Sequence, residues 1–184
     1  MKLVLKKVSG VMPVWTQTRS ISLTPACPLH FFFLQPGSYP AMSLSLCPCC
    51  SNKIYKQCCG RFLLGLNTPR TVQQLMRSRF TAYSLGGHGD YLLATWHPDT
   101  RPPLTATELS AQEWSAQEVQ WQRLQILTSE QHGDEGTVEL KATFVDSNGN
   151  AATHHELSRF VRLAGKWLYV DGTHSTVHAT AVEE

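Results

Sequence analysis

No aspartate or glutamate occurs between Met1 and Gly89, although ten lysines and arginines do. From Asp90 onward six basic residues stand against fourteen acidic ones, so a net charge of +2 conceals two halves of opposite sign. A basic, acid-free half points either to an anionic partner or to a local negative charge that its cations offset. Long apolar runs are missing too, and none approaches the ~20 residues of a membrane span. Phe31-Phe32-Phe33-Leu34 is too short and too late to serve as the core of a secretory signal. Charged residues make up 16% and hydrophobic residues 42% of the 184-residue chain, a globular rather than a disordered composition. There is no nucleophile elbow, no phosphate-binding glycine loop and no carboxylate dyad at catalytic spacing. Residues 1–42 share no pattern with the rest of the chain. Residues 1–41 read as a dispensable extension, with Met42 as the natural start.

Cysteine is scarce except in one place. Five of the six fall between Cys47 and Cys59, and Cys27 is the sixth. With Cys50 as a passenger, the arrangement is Cys47-Pro48-Cys49, eight residues, then Cys58-Cys59. Two close pairs of sulfurs joined by a loop long enough to fold back suit a tetrahedral metal with soft ligands at about 2.3 Å. Pro48 fixes φ between the first pair and supports the tight turn this needs. A disulfide cluster is the rival reading, but adjacent cysteines such as Cys58 and Cys59 rarely bridge, and nothing else in the chain looks secreted. Thiols persist in reducing compartments, so the cysteines predict a cytoplasmic protein. We expect one Zn2+ per chain on Cys47, Cys49, Cys58 and Cys59, with Cys50 and Cys27 outside the ligand set. Four thiolates around one zinc carry −2. Lys53, Lys56 and Arg61 stand where they offset that charge or meet an acidic partner, and the sequence leaves both roles open.

The run Cys-Pro-Cys-x-Ser-x-x-x-x-Lys-x-Cys-Cys-Gly resembles the SEC-C motif, the small zinc module at the tail of the SecA preprotein translocase and of many other proteins. Its ligand positions fall on the same four cysteines. The motif usually has Gly where this chain has Cys50, a position that favours φ > 0. From about Thr71 to Thr173 the chain resembles the YchJ family, whose biochemical activity is unassigned. The resemblance is carried by Leu75-Met76-Arg77-Ser78-Arg79-Phe80, Asp90-Tyr91-Leu92, Thr95-Trp96-His97-Pro98, Arg159-Phe160 and Trp167-Leu168-Tyr169-Val170-Asp171-Gly172. Many relatives carry a second SEC-C motif after the main domain; Thr180 to Glu184 hold none.

Patterning divides the remainder. Arg61 to Leu66 is an apolar connector that lays the module on the main domain. A helix opens after Thr68-Pro69 or at a Thr71–Gln74 capping box, with Val72, Leu75, Met76, Phe80 and Tyr83 on one face and Arg77 and Arg79 pointing elsewhere. A second helix is capped by Asp90 and ended by Pro98. A third runs from a Thr105–Glu108 capping box to about Trp114. Strands are predicted over Val119–Thr128, around Val138–Phe144, over Ala151–Leu163 and over Lys166–Asp171, with turns at 133–136, 146–150 and 164–165. Short separations make them antiparallel hairpins. Helices followed by a meander give an α+β fold, with helices packed on a curved antiparallel sheet. This order looks like the nuclear transport factor 2-like cone, preceded here by a small zinc module. The expected bounds are 1–42 for the extension, 43–66 for the module, 67–178 for the α+β domain and 179–184 for the tail. The expected core is Val72, Leu75, Met76, Phe80, Leu93, Trp96, Val138, Leu140, Phe144 and Trp167.

A pocket in such a cone would draw on Tyr83, Trp96, His97, Arg159, Tyr169 and Asp171. His97 reads either as a helix-end residue or as a pocket acid or base. If Ala164-Gly165 is a two-residue turn, Tyr169 faces Phe160 and Asp171 faces Ser158. That register argues against an Arg159–Asp171 pair and makes Arg159 an inward charge. His154-His155 reads as surface, because neighbours in a strand point opposite ways. The leading expectation is a non-enzymatic docking protein. Its module, with Lys53, Lys56 and Arg61, would meet an acidic protein or an RNA or ribosome surface, without sequence-specific DNA recognition. The α+β domain would be a scaffold or small-ligand site. In translocase tails the resembling module contacts a protein chaperone and lipid headgroups, and other carriers are thought to approach the ribosome. The alternative is an enzyme using the cone pocket through His97, Tyr83, Tyr169 or Asp171. A redox-sensitive metal, with Cys50 as an exchanging ligand, is a third reading.

Overall fold

The computed structural model describes residues 45–110 and 119–178. Cys27, the 1–42 extension and the expected reach of the third helix to Trp114 lie outside these residues. Four helices, α1 (Gly60–Leu63), α2 (Val72–Leu85), α3 (Gly89–Ala94) and α4 (Ala106–Ser110), precede four strands, β1 (Val119–His132), β2 (Glu135–Asp146), β3 (Ala151–Leu163) and β4 (Lys166–His178). The strands form one antiparallel meander in the order β1-β2-β3-β4. Among the described residues, no helix is long and apolar enough to cross a membrane.

The turns form where the sequence places them. Gly133, Gly149 and the Ala164-Gly165 pair all take positive φ, as tight hairpins demand. Asp146 accepts from the backbone N–H groups of Asn148 and Asn150 and closes its own turn. Register shifts at Trp121/Arg123, Ile126/Thr128 and Arg159/Phe160 bend the ribbon. The curved inner face wraps α2. Thr71 caps that helix, accepting from the Gln74 N–H at 3.1 Å, but Gln74 reaches back to the Arg70 N–H rather than to Thr71. The Thr105–Glu108 box closes in both directions. Asp90 sits in the first turn of α3, not at its cap. At the start of α2 the helix presses on β2. A Cβ on Gly136 would lie 2.8 Å from Val72 Cγ1, so only glycine admits this approach.

Burial follows period 2 on β2, where Val138, Leu140, Ala142 and Phe144 face inward. On β3 the inward series is Ala152, His154, Glu156, Ser158 and Phe160. Of the expected core, Leu93 and Trp96 are only half-buried and the rest is buried. Arg79 corrects the reading of α2. It is 3% exposed rather than solvent-facing, because it stands four residues after Leu75 and three after Met76 on the buried side.

The zinc-type module is not remote in space. Cys47, Cys49 and Cys59 belong to the same continuous core as Val72, Leu75 and the inner sheet, with Tyr55 and Leu63 packed against them. Arg77 donates to the Cys49 carbonyl at 2.7 Å and ties the module to α2.

Candidate metal centre and cavity

Two backbone devices bring the four cysteines together. Leu46 and Ile54 form an isolated antiparallel bridge, with Cys47 N–H donating to the Lys53 carbonyl at 2.8 Å and Tyr55 N–H to that of Ser45 at 2.9 Å. Within this small loop Cys50 N–H returns to the Cys47 carbonyl, and Cys50 takes φ 57°. This is the left-handed geometry that glycine adopts freely and a side chain does not. A single 3-10 turn, Tyr55–Gln57, then leads into Cys58 and into Cys59 at the head of α1. Gly60 allows the close return, since a Cβ there would meet Tyr55 at 2.9 Å.

The sulfurs of Cys47, Cys49, Cys58 and Cys59 all lie within 4.8 Å of one another, with three of the residues buried. Cys49 and Cys58 Sγ are 3.6 Å apart and Cys58 and Cys59 Sγ 3.9 Å. Bonds of 2.3 Å at tetrahedral angles put sulfurs about 3.8 Å apart, so the cluster fits one soft metal ion. Four thiols at this spacing cannot all ionise against one another. Hydrogen bonding with Cys47 pulls Cys49 down to about 6 and lowers Cys58, while the same sharing raises Cys47 and Cys59. A dication removes the conflict and makes all four thiolates. Ser51 Oγ, 3.2 Å from both Cys49 and Cys58 Sγ, supports the set from outside. Cys50 lies apart, its Sγ directed to the Pro48 carbonyl.

A second feature lies under the concave sheet. A pocket of about 420 Å³ is walled by Phe80, Trp96, Trp121, Leu124 and Tyr169, among others. Tyr83 and Asp171 also line it, whereas His97 and Arg159 do not. The His97 backbone is occupied in pairing with β4: its N–H donates to the Tyr169 carbonyl at 2.8 Å, and its ring Nδ1 accepts from Asp99 N–H. Tyr169 pairs with Phe160 as expected. The register then breaks, because β4 carries one extra residue, Val170, so that Arg159 meets Asp171 and Ser158 meets Gly172. Arg159 Nε donates to Asp171 at 2.6 Å in an exposed, two-pronged pair. Arg159 therefore points outward, and the pair that the simple hairpin register argues against is present. The bulge is held from a distance: the Val170 carbonyl accepts from Thr100 Oγ1 at 2.6 Å.

His154 also faces inward, correcting its surface reading; His155 is the outer one, 2.9 Å from Glu139. His154 Nε2 lies 3.0 Å from one Glu156 oxygen, and the other accepts from Ser158 Oγ at 2.7 Å and Tyr169 OH at 3.1 Å. Burial pushes the Glu156 carboxyl up, but the His154 and Ser158 hydrogen bonds outweigh it and hold it below its ordinary value of 4.5. Folding thus favours the ionised form. Its contribution to stability is present above about pH 4.5 and is lost as pH falls through the lower folded value. Glu156→Gln is expected to flatten the acid limb of a melting-temperature profile, and an unchanged limb would remove Glu156 from that role. Burial raises the Tyr169 and Tyr83 hydroxyls, and nearby Glu156 adds to the effect in both.

The family model described as the middle, nuclear transport factor 2-like domain of YchJ matches residues 71–172. The chain belongs to the YchJ family. UPF0225 proteins of Serratia proteamaculans and Bordetella parapertussis are 42% and 44% identical over 132 and 137 residues. These matches cover 70% and 72% of this chain and 82% and 96% of those proteins. The solution structure of a SEC-C motif containing protein from Rhodopseudomonas palustris is similar at TM-score 0.63 and 33% identity, covering 70% of this chain and 98% of that one. A crystal structure of a SEC-C motif containing protein from Psychrobacter arcticus matches at TM-score 0.60 and 27% identity, covering 73% and 85%. In this YchJ chain the structure therefore gathers the four expected cysteines. Of the six expected pocket residues it gathers Tyr83, Trp96, Tyr169 and Asp171. The sequence reading missed Arg79, His154 and Glu156, although counting by two from Phe160 reaches the last two.

Proposed function

We propose that this YchJ protein holds one zinc on Cys47, Cys49, Cys58 and Cys59, and that the folded module docks onto an acidic protein or RNA surface. Four protein thiolates close the tetrahedron and leave no position for water, which makes the metal structural rather than catalytic. The observation that carries docking is charge and exposure together. Lys53 and Lys56 are exposed on the loop between the two ligand pairs, and no acid occurs from Ser43 to Gly89. Three of the arginines nearby are already engaged. Arg77 is held by Cys49, Arg79 is buried, and Arg61 lies over the Phe62 ring at 4.6 Å. Lys53, Lys56 and exposed Arg70 remain as the main cations. Three phosphate contacts give a salt slope of about −2 to −3, which is weak and sequence-independent. Of the module's two aromatics, Phe62 is buried and Tyr55 is packed against the core, which suits an acidic protein patch or RNA backbone better than single-stranded bases. In this reading the α+β domain is the scaffold or small-ligand site.

Binding to purified ribosomes and to polyglutamate, measured against salt for wild type and Lys53→Glu/Lys56→Glu, tests the docking surface. Wild type should bind at least one of them with the stated slope, and the double variant should lose most of that affinity. Equal affinities and slopes would assign the lysines to the metal and the fold instead.

A further inference from the structure

Arg79 is a cation in the concave pocket and 3% exposed, yet it forms no ion pair among the described residues. Its Nη1 donates to the Leu92 carbonyl and to Thr95 Oγ1, each at 2.9 Å. Its guanidinium carbon lies 4.8 Å from the Trp96 ring centre and 4.6 Å from that of Tyr169. Both Nη1 protons are thereby used, whereas the Nε and Nη2 edge has no protein acceptor among the described residues. That edge presents two parallel N–H groups, the fork that matches a carboxylate. A buried guanidinium met only by neutral dipoles and ring faces is costly unless an anion joins it.

The other charged groups on the pocket do not supply that anion. Glu156 is already satisfied by His154, Ser158 and Tyr169. Asp171 is gripped by Arg159 on the outer side. His174, exposed and 5.4 Å from the His154 ring, adds no negative charge. The ionised Glu156 shares the pocket but spends its oxygens on His154, Ser158 and Tyr169, so the Arg79 fork is left without a carboxylate. Away from the His154 and Glu156 side the walls are mainly aromatic and aliphatic, from Phe80, Trp96, Trp121, Leu124 and Leu140, and about 420 Å³ admits a body of roughly one ring and a short chain.

We propose that this pocket binds a small monocarboxylate with an apolar, ring-sized body, its carboxylate seated on the Nε/Nη2 edge of Arg79. One cation favours a monoanion over a phosphate dianion, and the aromatic walls take the apolar part. The inference rests on the small-ligand reading of the α+β domain and is independent of docking by the module.

The test uses the full chain and three probes of one shape: 4-phenylbutyrate, 4-phenylbutyramide and 4-phenylbutylamine, titrated by amide-resonance NMR. The acid should saturate with a Kd of roughly low-millimolar or below, as a ligand of twelve heavy atoms allows. The perturbed amides should be those of Met76, Phe80, Tyr169 and Gly172. The amide probe should bind at least about tenfold more weakly, the loss expected when a charge-assisted fork is removed. Arg79→Lys keeps the charge but not the fork and should weaken the acid by a similar factor. If that variant does not fold, the acid-against-amide comparison on wild type decides alone. Equal binding of acid and amide, tighter binding of the amine, or no saturation by the acid would each overturn the proposal. Lys53→Glu/Lys56→Glu should leave acid binding unchanged, so failure of docking and failure of the pocket are told apart.

Discussion

Chelating the metal centre is expected to unravel about Cys47 to Gly60 and to lower the melting temperature of the sheet domain without abolishing its fold. The module is too small to stand on its own core, so the metal supplies its folding free energy, on the order of 10–16 kcal/mol in zinc-finger peptides. Its remaining supports are local. The Cys47 N–H to Lys53 carbonyl bond and the Tyr55 N–H to Ser45 carbonyl bond close a short loop, and Arg77 reaches a single carbonyl, that of Cys49. Hydrogen exchange gives the readout. Protection of the Cys47, Tyr55 and Cys58 amides should vanish on chelation, while that of the paired strands β1 to β4 persists. Some destabilisation of the sheet is also expected, because Cys47, Cys49 and Cys59 cover apolar surface of α2. Elemental analysis sharpens the assignment. Cys58→Ser should lose the metal, and Cys50→Ser should retain one zinc per chain. Retention in the first or loss in the second would sink the ligand set. Loss of all strand protection on chelation would show that module and sheet form one cooperative unit.

What could be read in the sequence was whatever depends on neighbours along the chain. The four ligands stand within thirteen residues, the hairpin turns announce themselves by glycine and asparagine, and the Thr105–Glu108 box spans one turn. The hidden features depend on partners far away. Val170 can be an extra residue in β4 because Thr100, seventy positions earlier, takes its carbonyl. Without that contact a regular ladder is the natural assumption, and it assigns Asp171 to Ser158 rather than to Arg159. Arg79 was obscured by its type. A helical wheel places it with Leu75 and Met76, but a cation is moved to solvent in reading unless a buried role is known. The structure supplies that role through the Leu92 carbonyl, Thr95 and two ring faces. His154 and Glu156 were obscured by their neighbour. His155 does face outward, and two adjacent histidines invite one reading for both, although period 2 from Phe160 separates them.

Phe160→Ala is expected to cost about 3–5 kcal/mol, the usual range for removing a large aromatic side chain from a core. That is a fall in melting temperature on the order of 10–20 °C at this size. Phe160 is 2% exposed and sits opposite Tyr169 on the inner face, the two rings edge-to-face with centroids 5.8 Å apart. Its loss leaves a void against the sheet's own neighbours. The backbone there is fixed by ladders on both sides, to Gly136 of β2 and Tyr169 of β4, so it cannot collapse to fill the space. The Tyr169 ring loses its lateral support at the same time, and with it one wall of the pocket. The control is Leu157→Ala, three residues earlier. Leu157 lies on the outer face of the same strand and is 48% exposed, so its truncation opens no internal void. It should shift the melting temperature by no more than a few degrees, within the roughly ±0.5 kcal/mol typical of surface changes. The contrast measures which face of β3 carries the core. Similar losses in both variants would mean that the outer face of the sheet is covered in solution, and a small loss in Phe160→Ala would mean that the sheet does not close over α2 as described.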